Sequence, residues 1–254
     1  MKQRFYETKL FGVFTFLFGL FGLLLLAHHI VSYENILRPH MDYLIANKVI
    51  TNDISGPTFL YFFTNQSNIF VDVYLLLYAF GLFGNRALYR FTHNETLRCA
   101  VTLNILVTGI IYCGVLLPFQ SASFPMEQGI WFSNVVNIWA HMVVPFCFTA
   151  FWFFPLDFKP LKKVKTALLC LIYPLGYLAF SVIRGAFAHF YPYPFLNSRQ
   201  LWETLFKNKP YEAGTGVLLL VAVIVALSGI FFGLACALCA VHNKICQRKG
   251  VESA

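Results

Sequence analysis

Six stretches of this chain, near residues 10–30, 57–83, 97–118, 132–154, 166–190 and 215–240, are long and apolar enough to cross a lipid bilayer as helices. A hydrocarbon core is crossed by about 20 residues of helix, and inside it each backbone N–H and C=O must find its partner within the segment. The expected fold is therefore all-α: one polytopic transmembrane domain over residues 1–254, built as a six-helix bundle. Composition agrees, because only 12% of the residues are charged, about half the share of a soluble domain.

The basic residues predict the orientation. Of the 19 Lys and Arg, thirteen fall at the N-terminus (Lys2, Arg4, Lys9), in the second connection (Arg86, Arg90, with Arg98 at the membrane edge), in the fourth (Lys159, Lys162, Lys163, Lys165) and in the tail (Lys244, Arg248, Lys249). The opposite side holds Arg38, Lys48, Arg199, Lys207 and Lys209, and Arg184 lies within a span. Basic loops stay inside, so both termini are expected in the cytoplasm. The net charge of +8 reflects this bias and the attraction of anionic headgroups, and does not indicate a nucleic-acid partner. The first span ends in Ala27-His28-His29 without a small-residue cleavage site, so it is expected to remain as an anchor rather than act as a signal peptide.

Other motifs carry little chemistry. All seven cysteines fall in spans or on the predicted inner side, which implies no disulfide framework, and Cys236-x-x-Cys239 lacks a second pair and sits in an apolar helix. No metal or cofactor is expected. There is no clear internal repeat of the kind that marks inverted-repeat carriers. The two longer exterior connections, about 31–56 and 191–214, contain turn residues and aromatics suited to capping a site from outside.

The second stretch breaks the apolar pattern. Thr64, Asn65, Gln66, Ser67 and Asn68 follow one another within it, and Asp72 comes next. Polar groups in hydrocarbon are costly unless they pair or line a wet cavity, so such a run marks a candidate site. At about 1.5 Å of rise per residue, Thr64 lies about 10 Å below the exterior surface, His141 of the fourth span about 13 Å and Arg184 of the fifth about 9 Å. Thr64, Asn68 and Asp72 share a helical face, flanked by Asn65 and Ser67, and Asn134, Asn137 and His141 share another. Taken alone, each of these residues is more often a bond between membrane helices than a catalyst. Their common depth and face select a pocket in the exterior half of the bundle.

Nucleophilic attack fits these groups. Neutral imidazole can take the proton of a hydroxyl, which makes Thr64 the expected nucleophile and His141 its base, with Ser67 the competing hydroxyl. The amides of Asn65, Asn68, Asn134 and Asn137 are candidate oxyanion donors. Asp72 is a distant candidate for orienting the base or pairing with Arg184, whose guanidinium suits an anionic headgroup.

The motifs Phe63-Thr64-Asn65-Gln66-Ser67-Asn68, His141-x-x-x-Pro145, Tyr173-Pro174-x-x-Tyr177 with Arg184-Gly185, and Tyr191-Pro192-Tyr193-Pro194-Phe195-Leu196 resemble those of bacterial multipass membrane proteins. That likeness covers about residues 10–240, and these bacterial proteins in turn resemble distant relatives of the androgen-induced gene family of membrane hydrolases. The resemblance implies a bacterial inner-membrane protein. It also implies a threonine and a histidine that hydrolyse fatty acid esters of hydroxy fatty acids, roles that fall on Thr64 and His141. The leading expectation is an intramembrane lipid-ester hydrolase whose partner is membrane lipid. The alternative is a small carrier or lipid-binding membrane protein that uses the same groups without catalysis, and a purely structural bundle comes third.

Overall fold

The computed structural model describes residues 4–32, 58–116, 131–188, 191–207 and 209–252, and these form helices and connections with no strand among them. The long helices are α1 (Lys9–Ser32), α2 (Phe63–Leu82), α4 (Glu95–Ile111), α7 (Lys163–Ala188) and α9 (Ala213–Glu252). The short ones are α3 (Arg86–Thr92), α5 (Trp131–Ile138), α6 (Val144–Trp152) and α8 (Ser198–Leu205). A π turn, Tyr112–Leu116, extends α4, and another, Trp139–Val143, joins α5 to α6 as one span.

Among the described residues, five helices are long and apolar enough to cross a membrane: Lys9–Val31, Glu95–Gly114, Val135–Trp152, Lys163–Phe187 and Ala213–Arg248. The chain is thus an integral membrane protein. Absent from the five is α2, the second expected span, whose 20 residues carry the Thr64–Asn68 run and Asp72. It packs in the bundle nonetheless, against α1, α3 and α4.

The centre is α4, with 56% of its apolar window buried against 11% for α9. One core joins α4 to α7 and α9 through Leu103, Val107, Leu178, Phe231 and Ala235, and another joins it to α2 and α6 through Val71, Tyr78, Ile105, Val144 and Phe148. In the first, the thiol of Cys99 meets those of Cys170 and Cys239, so Cys239 faces its neighbours across the bundle and Cys236 is only half-buried.

Helix ends follow their sequence. Asn85, Asn94 and Asn197 cap α3, α4 and α8, each side-chain oxygen accepting two backbone N–H groups. Gly84, at φ 122°, takes the left-handed turn between α2 and Asn85, which a side chain would strain.

Arg98, expected at the membrane edge, is instead fully buried. Its Nε and Nη2 bind Glu95 Oε2 at 2.8 and 2.7 Å, and Nη1 donates to the carbonyls of Phe151 and Phe154. Glu95 Oε1 accepts the N–H groups of Leu156 and Asp157 at 2.6 and 2.9 Å. Leu161 is held to Asn243 of α9 by two further bonds. The connection between α6 and α7 is therefore stapled to α4 and α9.

Candidate functional site

The polar run of α2 divides its duties by face. Ser67 Oγ donates to the Thr64 carbonyl at 2.9 Å and lies 2.8 Å from Thr108 Oγ1 of α4. Asn68 Nδ2 donates to the Thr64 carbonyl at 2.8 Å and to the Ala140 carbonyl of the second π turn at 2.9 Å. Gln66 reaches the other way, donating to the Leu60 carbonyl and accepting from the Tyr173 hydroxyl of α7. The run thus ties α2 to three neighbours, and the Thr64 backbone is held by two of these bonds.

Two expectations change here. Both amide hydrogens of Asn68 are engaged by carbonyls, so this amide is not an oxyanion donor. Ser67 is fully buried against Thr108, so it is a link between helices rather than a competing nucleophile.

His141 sits on a π turn for a local reason. Pro145, four residues on, has no N–H to give the His141 carbonyl, and its ring crowds that position, so the helix widens. Gly109 of α4 permits the close approach, since a Cβ there would lie 2.8 Å from the Pro145 ring. His141 Nδ1 is 3.0 Å from the Asn137 carbonyl. A carbonyl only accepts, so Nδ1 carries the proton and Nε2 of the neutral ring keeps its lone pair. The imidazole stacks on Tyr112, with centroids 4.2 Å apart, and the Tyr112 hydroxyl accepts from Asn137 Nδ2 at 2.9 Å. His29 of α1 is within electrostatic reach of the ring.

Thr64 and His141 line one cavity of ≈ 30 Å³, room for a water or two. Apolar walls come from Val107 and Ile111 of α4, Leu178 of α7 and Leu227 and Phe231 of α9. Its polar groups are Thr64, Thr108, His141, Tyr177 and Tyr193. Tyr177 donates to the Tyr61 carbonyl at 2.8 Å. Tyr193 meets the Thr64 hydroxyl and the N–H groups of Phe63 and Thr64, and so caps α2, whose N-cap residue Phe62 makes no side-chain cap of its own. Burial pushes the Tyr193 hydroxyl above its ordinary pKa, and these hydrogen bonds offset part of the rise. Tyr193 and Phe195 bring the connection after α7 over the cavity, as expected of a capping segment.

The remaining candidates lie elsewhere. The Arg184 guanidinium stacks on the Tyr61 ring at 3.6 Å, and the Asp72 carboxylate has no hydrogen-bond partner among the described residues and lies against Gly22 of α1. The expected Arg184–Asp72 pair is therefore not made: the guanidinium takes an aromatic face and the carboxyl faces another helix. Asn65 is half-buried and does not line the cavity. The Asn134 side chain and residues 33–57, which include the first exterior connection, lie outside the described residues. Among the described residues, no three His, Cys, Asp or Glu side chains are grouped to hold a metal ion.

Sequence reasoning missed Tyr193, Thr108 and Tyr112. The Tyr191-Pro192-Tyr193-Pro194 run gave turn residues and aromatics suited to capping a site but not which ring turns inward. Comparison with known proteins adds no relative, since no family model, curated protein or solved structure matches the chain.

Proposed function

We propose that this protein is an intramembrane lipid-ester hydrolase, with Thr64 as nucleophile and His141 as general base and then acid. In this reading α2 completes a six-span bundle, both termini are cytoplasmic, and the membrane is a bacterial inner membrane. The observation that carries the reading is the shared cavity: a hydroxyl and an imidazole with an available Nε2 lone pair face the same small, mostly apolar space.

His141 Nε2 takes the Thr64 proton, directly or through one water, as Thr64 Oγ1 attacks the ester carbonyl. The proton then passes to the departing alcohol, and a water hydrolyses the acyl-threonine with His141 again as base. The Tyr193 hydroxyl, beside Thr64, is the donor to the developing oxyanion in place of the Asn68 amide. The Val107, Ile111, Leu178 and Leu227 walls, which enclose room for only a water or two, part to admit the acyl chain, and Arg184, near the start of α2, meets an anionic headgroup. The motif resemblance to the androgen-induced gene family points to the same chemistry.

The test is hydrolysis of medium and long-chain acyl esters by the detergent-purified protein beside Thr64→Ala and His141→Ala. Each variant is expected to lose at least about a hundredfold in turnover while remaining folded. Retained turnover in either would overturn the assignment. Lipid binding without product across the panel would favour the carrier reading, in which the same apolar walls bind without bond breaking.

A further inference from the structure

Asp72 is 1% exposed, and neither carboxyl oxygen has a hydrogen-bond partner among the described residues. A carboxylate held this way would forfeit its hydration with nothing in exchange, a penalty that drives such a group to neutralise. The usual remedies are absent from its surroundings. On α1 Gly22 presses on the carboxyl and Gly19 on the Asp72 backbone carbonyl, leaving no space even for a Cβ at either position. The charged and imidazole groups of the neighbouring elements are Lys9, His28 and His29 of α1, Arg86 and Arg90 of α3, Glu95 and Arg98 of α4 and His141 on the π turn, and none is hydrogen-bonded to it. Trp139 Nε1, a buried donor on the same turn, is not bonded to it either.

One helical turn away on the same face is the complementary defect. The orientation of the Asn68 amide is settled, because both of its partners are carbonyls and only Nδ2 can donate to them. Its Oδ1 is therefore turned away, buried, and accepts from nothing among the described residues. Helical side chains lean over the turn preceding their own Cα, so Asp72 leans toward Asn68 as Asn68 leans toward Thr64. Asp72 and Asn68 thus lie four residues apart on one face of α2, each with acceptor atoms that no described donor reaches. One proton satisfies both, and it needs no cavity.

We propose that Asp72 is a proton-binding site: the folded protein holds it as a neutral carboxylic acid whose O–H donates to Asn68 Oδ1. The Asn68 amide is then fixed on both sides, and with it the link from the Thr64 backbone to the Ala140 carbonyl beside His141. Asp72 is a positioning residue, acting on the candidate site through Asn68. That last role rests on the hydrolase reading, whereas the proton itself does not.

The test uses full-length protein in detergent near neutral pH, with Asp72→Asn and Asp72→Leu. Asparagine keeps a donor of the same shape and removes the acid, while leucine removes the donor. In the infrared spectrum the wild type is expected to show a protonated-carboxyl band that Asp72→Asn lacks. The melting temperature and turnover of Asp72→Asn should stay close to wild type, and Asp72→Leu should lose both. Absence of that band, or an Asp72→Asn variant as destabilised as Asp72→Leu, overturns the proposal. Should Asp72→Leu fail to fold, the infrared comparison still decides. Retained hydrolysis in Thr64→Ala would remove the hydrolase reading and leave the band and the melting comparison untouched.

Discussion

Thr64 and Ser67 are hydroxyl residues three apart on one helix, yet only Thr64 faces the cavity. Helical spacing places both on the buried side, and the partner that separates them, Thr108, is 41 residues from Ser67. That pairing is a tertiary fact, invisible to periodicity. Ser67→Ala is accordingly expected to spare the turnover that Thr64→Ala abolishes while costing about 1–2 kcal/mol through its lost hydrogen bonds, read as melting temperature against ester hydrolysis. A second residue sets a pH dependence. Burial lowers the pKa of His93 below the ordinary imidazole value, partly offset by its bond to the Tyr89 carbonyl. The unfolded chain therefore binds this proton more readily than the folded one. Stability is unaffected above the unfolded pKa of about 6.5 and falls as pH drops below it toward the folded pKa. Melting temperature plotted against pH should fall less steeply on the acid side for His93→Gln than for the wild type.

At the scale of elements, the helices were legible and their contacts were not. Apolar runs about 20 residues long leave a membrane chain few alternatives to helix, so the described elements lie close to the expected stretches. The π turn at Trp139–Val143 was implicit in His141-x-x-x-Pro145, since a proline four residues on removes a backbone bond. The capping of α2 by Tyr193 was not, because it joins positions more than a hundred residues apart. Glycines show the same limit: composition counts them alike, while their surroundings differ. A Cβ on Gly19 would lie 2.7 Å from the Asp72 carbonyl oxygen, whereas Gly176 has nothing within 4 Å. Gly19→Ala should push α1 away from α2 at about 1–3 kcal/mol, and Gly176→Ala should be neutral or stabilising by up to about 1 kcal/mol. Thermal unfolding of the two single variants in one detergent makes the comparison.

For the whole molecule, charge counting predicted an orientation but misjudged one of its charges. Arg98 belongs with the cytoplasmic basic residues by position, yet its side chain is 1% exposed and bound to Glu95. No count along the chain distinguishes a charge that faces water from one that closes an internal network. The spacing Glu95-x-x-Arg98 allowed the pair, and only the fold adds the carbonyls of Phe151 and Phe154 and the N–H groups of Leu156 and Asp157. The network holds one end of the bundle, joining α4 to the connection after α6, which α9 also grips through Asn243. Arg98→Leu leaves buried Glu95 without its guanidinium partner, with His242 Nδ1 3.9 Å away as the remaining basic group, and leaves two carbonyls without their Arg98 donor, and should cost about 3–5 kcal/mol. Because both cores share α4, that loss should lower the melting of the bundle as a whole rather than free one helix. A single cooperative transition at reduced temperature, followed by tryptophan fluorescence and by helical circular dichroism together, is the expected result. Separation of the two signals would mean that the network secures only the connection after α6.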